Sequence, residues 1–184
     1  MRINRILLFS LSIILLLLPA YGKLEKSSAD KVNRLLNSIL TKKVKAKKII
    51  ISEDEVNSYF YFYREKIFTD DVKWVKIKLN NNNLIKIRII MFFNSNAIKD
   101  SYLSLLRDSI IDINSQLKLK NINNGCFQIK LLFLNINGLT LDNQLALSLI
   151  SKIPPEFKQY FEGFCPNYEI KKIIVREKKI MFLF

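Results

Sequence analysis

Several stretches of this chain alternate apolar and polar residues with a period of two, and no other feature constrains the fold as much. Val75, Ile77 and Leu79 alternate with Lys76 and Lys78, and Ile85, Ile87 and Ile89 alternate with Lys86 and Arg88. A strand sends successive side chains to opposite faces, so each run predicts a half-buried strand with one apolar and one basic face. Asn80-Asn81-Asn82-Asn83 separates them as a turn, because Asn tolerates left-handed backbone. Ile111, Ile113, Leu117 and Leu119 continue the pattern. Phe127, Ile129, Leu131 and Phe133 return after Asn123-Asn124-Gly125. Leu132, Leu134 and Ile136 are apolar on the opposite parity, which predicts a strand covered on both sides at its far end. Tyr168–Val175 and Ile180–Phe184 read as a closing hairpin across Arg176-Glu177-Lys178-Lys179.

Helical periodicity fills the intervals. Val32, Leu35, Leu36, Ile39 and Leu40 put one apolar stripe on Ser28–Leu40, with Ser27, Ser28 and Asp30 as N-cap choices. Ser52-Glu53-Asp54-Glu55 is a capping box with three acids where the helix dipole favours them. The helix it opens carries Val56, Tyr59, Phe60, Tyr63 and Ile67 on one face. Tyr61 and Phe62 complete five consecutive aromatics, which predicts burial on more than one side. Ala97–Asp108 reads as a short helix. Asn137-Gly138-Leu139-Thr140 opens another over Asp142–Ile153, which stops at Pro154-Pro155, and Glu156–Phe161 adds a further turn or two.

Each half of the chain runs strand, capped helix, hairpin: Lys45–Ile51, Ser52–Ile67 and Val72–Phe93, then Cys126–Ile136, Thr140–Phe161 and Tyr168–Phe184. The expected fold class is α+β: a curved antiparallel sheet packed on helices, with two strand–helix–hairpin pseudo-repeats.

The first 22 residues read as an address. Arg2 and Arg5 precede the uncharged apolar run Ile6–Leu18, and small residues stand before a cut after Gly22. These are the parts of a secretory signal peptide, and the run is shorter than a spanning helix needs. The other reading is an uncleaved N-terminal anchor. Residues 23–184 then form a single domain. Removing 1–22 takes away two Arg and no acid, so a formal charge of +14 becomes +12. Export makes Cys126 and Cys165 an even pair in an oxidising compartment, to be read as a disulfide or as two buried thiols.

Chemistry is thinly represented. The chain has no histidine, which excludes Ser-His-Asp and Cys-His catalysis and any His metal site. It has no Gly-rich phosphate loop, nucleophile elbow or metal-ligand spacing, and no cofactor is expected. Capping accounts for Glu53, Asp54 and Glu55, and a turn for Asp70-Asp71. A hydrolase would need convergent carboxylates in a pocket.

The basic residues are the stronger lead. Lys42, Lys43, Lys45, Lys47 and Lys48 form one cluster. Lys73, Lys76, Lys78, Lys86 and Arg88 line one face of the first hairpin, and Lys171, Lys172, Arg176, Lys178 and Lys179 mark the last. Such a surface attracts anions. Outside the cytoplasm the anions are lipid headgroups or envelope polymers rather than nucleic acid. The opposing reading is compositional: Ile, Lys and Asn make up 68 of the 184 residues, which an A+T-rich genome produces with no partner at all. The abundant phenylalanines allow an acyl-chain pocket or an ordinary core.

Ile51-Ser52-Glu53-Asp54-Glu55-Val56-Asn57-Ser58-Tyr59 resembles the helix opening of small exported bacterial proteins, some of them similar to the LmeA-like phospholipid-binding family. Asp71-Val72-Lys73-Trp74-Val75-Lys76-Ile77, Ile136-Asn137-Gly138-Leu139-Thr140-Leu141 and Tyr168-Glu169-Ile170-Lys171-Lys172-Ile173 follow in the order such proteins show. The resemblance spans most of residues 23–184. It implies an extracytoplasmic lipid-binding role without catalysis and assigns no site residue. The basic, Asn-rich composition departs from it. The expected function is therefore a non-enzymatic exported protein that binds a lipid or an anionic envelope component at a membrane surface. The alternative is an envelope protein that recognises other proteins through a sheet edge.

Overall fold

The computed structural model describes residues 24–41, 43–68, 71–93, 109–122, 125–142, 144, 161–165 and 170–184. The expected segment 1–22, the helix Ala97–Asp108, Lys42, Asp70, Asn123-Asn124, Tyr168-Glu169 and nearly all of Asp142–Phe161 lie outside these.

The capping box forms as its residue types require. Ser52 Oγ accepts from the Glu55 N–H at 3.2 Å, and Glu55 Oε2 accepts from the Ser52 N–H at 2.7 Å. Two of the open donors at the helix start are thereby satisfied, worth about 1 kcal/mol. Strand β1 (Lys48–Ser52) therefore ends where helix α2 (Glu53–Phe62) begins, and a short α3 (Arg64–Ile67) follows. Helix α1 (Lys26–Leu40) starts two residues earlier than its apolar stripe suggests. Its N-cap is Glu25, not Ser27, Ser28 or Asp30, and no side chain of its own caps it. Ser58 of α2 does the work from outside: its Oγ accepts from the Glu25 N–H at 3.1 Å. Ser58 and Ala29 are both fully buried, small residues where the two helices meet.

Two antiparallel sheets take the place of one. β2 (Val72–Asn80), β3 (Leu84–Phe93), β4 (Ser109–Asn121), β5 (Phe127–Ile136) and β6 (Leu139–Thr140) form a five-stranded sheet in sequence order. β7 (Lys172–Arg176) and β8 (Lys179–Leu183) join β1 in a three-stranded sheet of order β1-β8-β7. The fold is α+β. The two strand–helix–hairpin units are paired differently: β2-β3 belongs to the large sheet, whereas β7-β8 takes up β1 in the small one. Asn137-Gly138 is a tight turn with φ of 52° and 86°, so Leu139-Thr140 folds back as β6 on β5.

A β-bulge explains the doubled apolar parity of β5. Gln116 pairs Phe133, but Leu117 pairs Leu131, so Leu132 has no opposite number. One extra residue reverses which parity faces inward. Ile129 and Leu131 face the core before it, and Leu134 and Ile136 after it, across from Ser115 and Ile113. The strand is therefore not covered on both sides, and Leu132 and Phe133 are about 40% exposed. Lys73 plays the same part in β2, where Val72 pairs Met91 and Trp74 pairs Ile90.

The core lies between the sheets and under α1 and α2. It contains Val32, Ile39, Ile51, Val56, Ile77, Leu79, Leu119, Phe127, Ile170 and Val175. The aromatic run is less buried than its composition suggests. Tyr59 and Phe60 pack against the core, while Tyr61 is 54% exposed. Lys26 sits 4.1 Å over the Tyr63 ring and 5.5 Å over Phe62. Cations, not a second apolar layer, cover this flank.

Asparagines close the sheet edges. The Asn57 amide donates to the Ile77 C=O at 2.8 Å and accepts from the Ile77 N–H at 2.7 Å, imitating a strand residue beside β2. Glu53 Oε2 accepts from the Leu79 N–H on the same edge. Asn121 makes both bonds to Ile173 at 2.9 Å. Asn83 Oδ1 accepts from the Val175 N–H at 2.8 Å, and the Asn83 N–H donates to the Val175 C=O. The edge of β7 is thus tied to the large sheet. The asparagine tract is a turn, with Asn82 and Asn83 at φ of 62° and 60°, and also a brace between sheets.

Cys126 and Cys165 are bonded. The bridge stands beside Phe127 and Phe164, which exchange two backbone hydrogen bonds of 2.7 Å. Among the described residues, no helix is long and apolar enough to cross a membrane.

Candidate functional site

The outer face of the large sheet is built by the alternation that builds its core. Ile77, Leu79, Ile85 and Ile87 turn inward, so Lys76, Lys78, Lys86 and Arg88 must turn outward. Lys76, Lys78, Lys86 and Arg88 of the expected hairpin cluster are thus brought together on one face, while Lys73 is the unpaired residue of the β2 bulge. Register extends it to three lysines that the alternation in β4 and β5 also turns outward but that were not singled out from sequence: Lys118, Lys120 and Lys130, all exposed. Asp112 is the acid among the described residues of this face.

The cations are not spaced to avoid one another. Lys76 lies directly across from Arg88, and Lys78 from Lys86. Lys118 lies across from Lys130. Opposed residues on a sheet have Cβ atoms about 5 Å apart, where like charges repel. Arg88 is partly compensated. Its guanidinium grips Asp112 with bonds of 2.6 to 3.1 Å and lies 5.7 Å over the Trp74 ring. The Arg88 hydrogen bond holds the Asp112 carboxyl below the usual carboxylate range, against a smaller opposing effect of burial.

Beside this face runs a groove of about 240 Å³ between α2 and the edge strand β2. Glu53, Asp54, Asn57 and Tyr61 line it from α2, Trp74, Lys76 and Lys78 from β2, and Lys178 also lines it. Glu53 and Asn57 are engaged with the β2 backbone. The carboxylates here do not converge as a hydrolase would require: Glu53 caps a strand edge and Glu55 its own helix. Burial pushes the Glu55 carboxyl up, but the bonds from Lys31 and from Ser52 outweigh it and leave it lowered. Among the described residues, no group of three His, Cys, Asp or Glu could hold a metal ion.

The second cluster stands apart. Lys43, Lys45, Lys47 and Lys48 are exposed on the run into β1, in the small sheet, and Lys42 lies outside the described residues. Of the apolar residues that allow an acyl-chain pocket or an ordinary core, Val75, Ile85, Ile87, Ile129, Phe182 and Phe184 pack against the buried core cluster.

No protein-family model, curated protein or solved structure matches this chain.

Proposed function

We propose that this chain is an exported, non-enzymatic protein that binds phosphate-bearing anions of the cell envelope through the outer face of its five-stranded sheet. The supporting observation is the set of like-charged pairs: Lys76 with Arg88, Lys78 with Lys86, and Lys118 with Lys130. A face selected only for stability would alternate charge signs, because opposed like charges cost stability. A phosphate seated between two opposed cations removes that cost and gains charge-assisted hydrogen bonds. Lipid headgroups and anionic polymers share this chemistry. The leader-like residues 1–22, the disulfide and the resemblance to a phospholipid-binding family all favour an extracytoplasmic setting.

Vesicle co-sedimentation tests the reading. The full chain should bind phosphatidylglycerol vesicles at low salt and ignore phosphatidylcholine. Each basic residue near such a surface contributes about 1 kcal/mol, so Lys78→Glu with Lys86→Glu should weaken binding at least tenfold. Binding of soluble polyphosphate without binding to phosphatidylglycerol vesicles would assign the polymer. Equal binding to both vesicle types, or no effect of charge reversal, would overturn the proposal.

A further inference from the structure

The sheet edges differ in how they are finished. The edge of β2 is closed by Asn57 and Glu53, and that of β7 by Asn83 and Asn121. Strand β1 is the other edge of the small sheet. The Phe184 N–H donates to the Lys47 C=O at 3.1 Å, which sets the phase of the ladder. Lys47, Ile49 and Ile51 therefore direct their backbone groups at β8, while Lys48 and Ile50 direct theirs away from the sheet. Among the described residues, nothing bonds those four outward groups. The Ile50 side chain is 46% exposed, and Lys48 is exposed beside it.

We infer that β1 is a docking edge for an extended acidic segment of a partner protein. An added strand completes the unpaired N–H and C=O groups of Lys48 and Ile50. Charge selects which strand. From Lys43 to Ile51 the chain carries four lysines, at 43, 45, 47 and 48, and no acid. Lysine on an edge repels a second copy of the same edge, so self-pairing is disfavoured. The same lysines face an incoming strand closely enough to pair with its carboxylates. This surface is separate from the outer face of the large sheet, and the two fail independently.

The probe is a synthetic peptide alternating glutamate with valine, with a control of equal charge in which proline replaces valine. The first should bind the full chain, and the Lys48 and Ile50 amides should exchange with solvent at least tenfold more slowly. Ile50→Pro removes only an outward donor, a position an edge strand tolerates. It should weaken binding at least tenfold with an unchanged circular dichroism spectrum. If that variant does not fold, Lys47→Glu with Lys48→Glu, both at exposed positions, should give the same loss. Equal binding of the proline control would show plain charge attraction and overturn the inference. So would unchanged exchange at Lys48 and Ile50, or a dimer in sedimentation equilibrium that shields those amides without peptide.

Discussion

Single side chains in this protein stand in for backbone. Asn57 is the clearest case, since its amide supplies one donor and one acceptor at the spacing of a strand residue. Ile77, its partner, is 7% exposed, so losing the amide leaves two backbone groups at the β2 edge with poor access to water. An unsatisfied buried group costs about 1–3 kcal/mol. Asn57→Ala should lower stability by about 2–4 kcal/mol in urea unfolding, the two orphaned groups being partly rehydrated at the edge. Asn57→Asp keeps the acceptor and should lose less. Asn37, exposed on α1, is the comparison, and its replacement by Ala should fall within about 0.5 kcal/mol. Composition is a poor guide to such roles. An excess of Asn reads as genome bias until each amide is placed.

At the scale of elements, what was legible in the sequence is what local physics decides alone. Ser52-Glu53-Asp54-Glu55 specifies its cap by four adjacent residues, and the alternation in β2, β3 and β4 specifies which face is inward. What was illegible depends on partners far along the chain. Nothing in Lys48–Ser52 says that β8, more than 120 residues later, completes it. Nothing in Leu139-Thr140 alone says that the left-handed turn at Asn137-Gly138 returns it to β5. The site divides the same way: Lys76, Lys78, Lys86 and Arg88 follow from alternation, whereas the opposition of Lys118 and Lys130 needs the register. The bulge at Leu132 is the sharpest example, because an apolar residue on both parities has two explanations. A strand buried on both faces would make Leu132→Lys costly. A bulge leaves that side chain partly in water, so Leu132→Lys should change stability by under about 1 kcal/mol. Deleting Leu132 should be tolerated as well: it removes only the extra residue, keeps Phe133 opposite Gln116 and Leu134 opposite Ser115, and leaves Leu134 and Ile136 on the core face. In a strand without the bulge the same deletion would swing both side chains outward, at about 1.5–3 kcal/mol each. Thermal unfolding of the two variants separates the explanations.

For the molecule as a whole, charge and fold pull against each other, and pH is the lever. Thirty cationic side chains face sixteen acids, so every acid that is protonated adds to an existing excess. Two acids are also structural. Asp112 is held low chiefly by the Arg88 hydrogen bond. Glu55 is held low because its bonds to Lys31 and Ser52 exceed the burial that would raise it. A carboxyl whose pKa is lower folded than unfolded contributes stability above its unfolded pKa. That contribution is lost as pH falls through the folded value. Both contributions are therefore complete above about pH 5, begin to fall in the unfolded carboxyl range near pH 4, and are lost as pH drops through the lower folded values. Over the same interval the formal charge climbs from +14 toward +30, and self-repulsion grows with it. The urea midpoint should be flat from pH 8 to 5 and fall steeply below. Asp112→Asn with Glu55→Gln should lower the plateau and shallow the fall, since those two groups no longer have protons to gain. Added salt tells the two causes apart. Screening relieves the general repulsion, so 0.5 M salt should recover part of the loss at pH 3 in both proteins. It cannot restore whatever part is lost by protonating the Glu55 and Asp112 carboxyls themselves. If salt returned the wild-type midpoint fully to its neutral-pH value, net charge alone would govern acid unfolding, and Glu55 and Asp112 would have no special part in it.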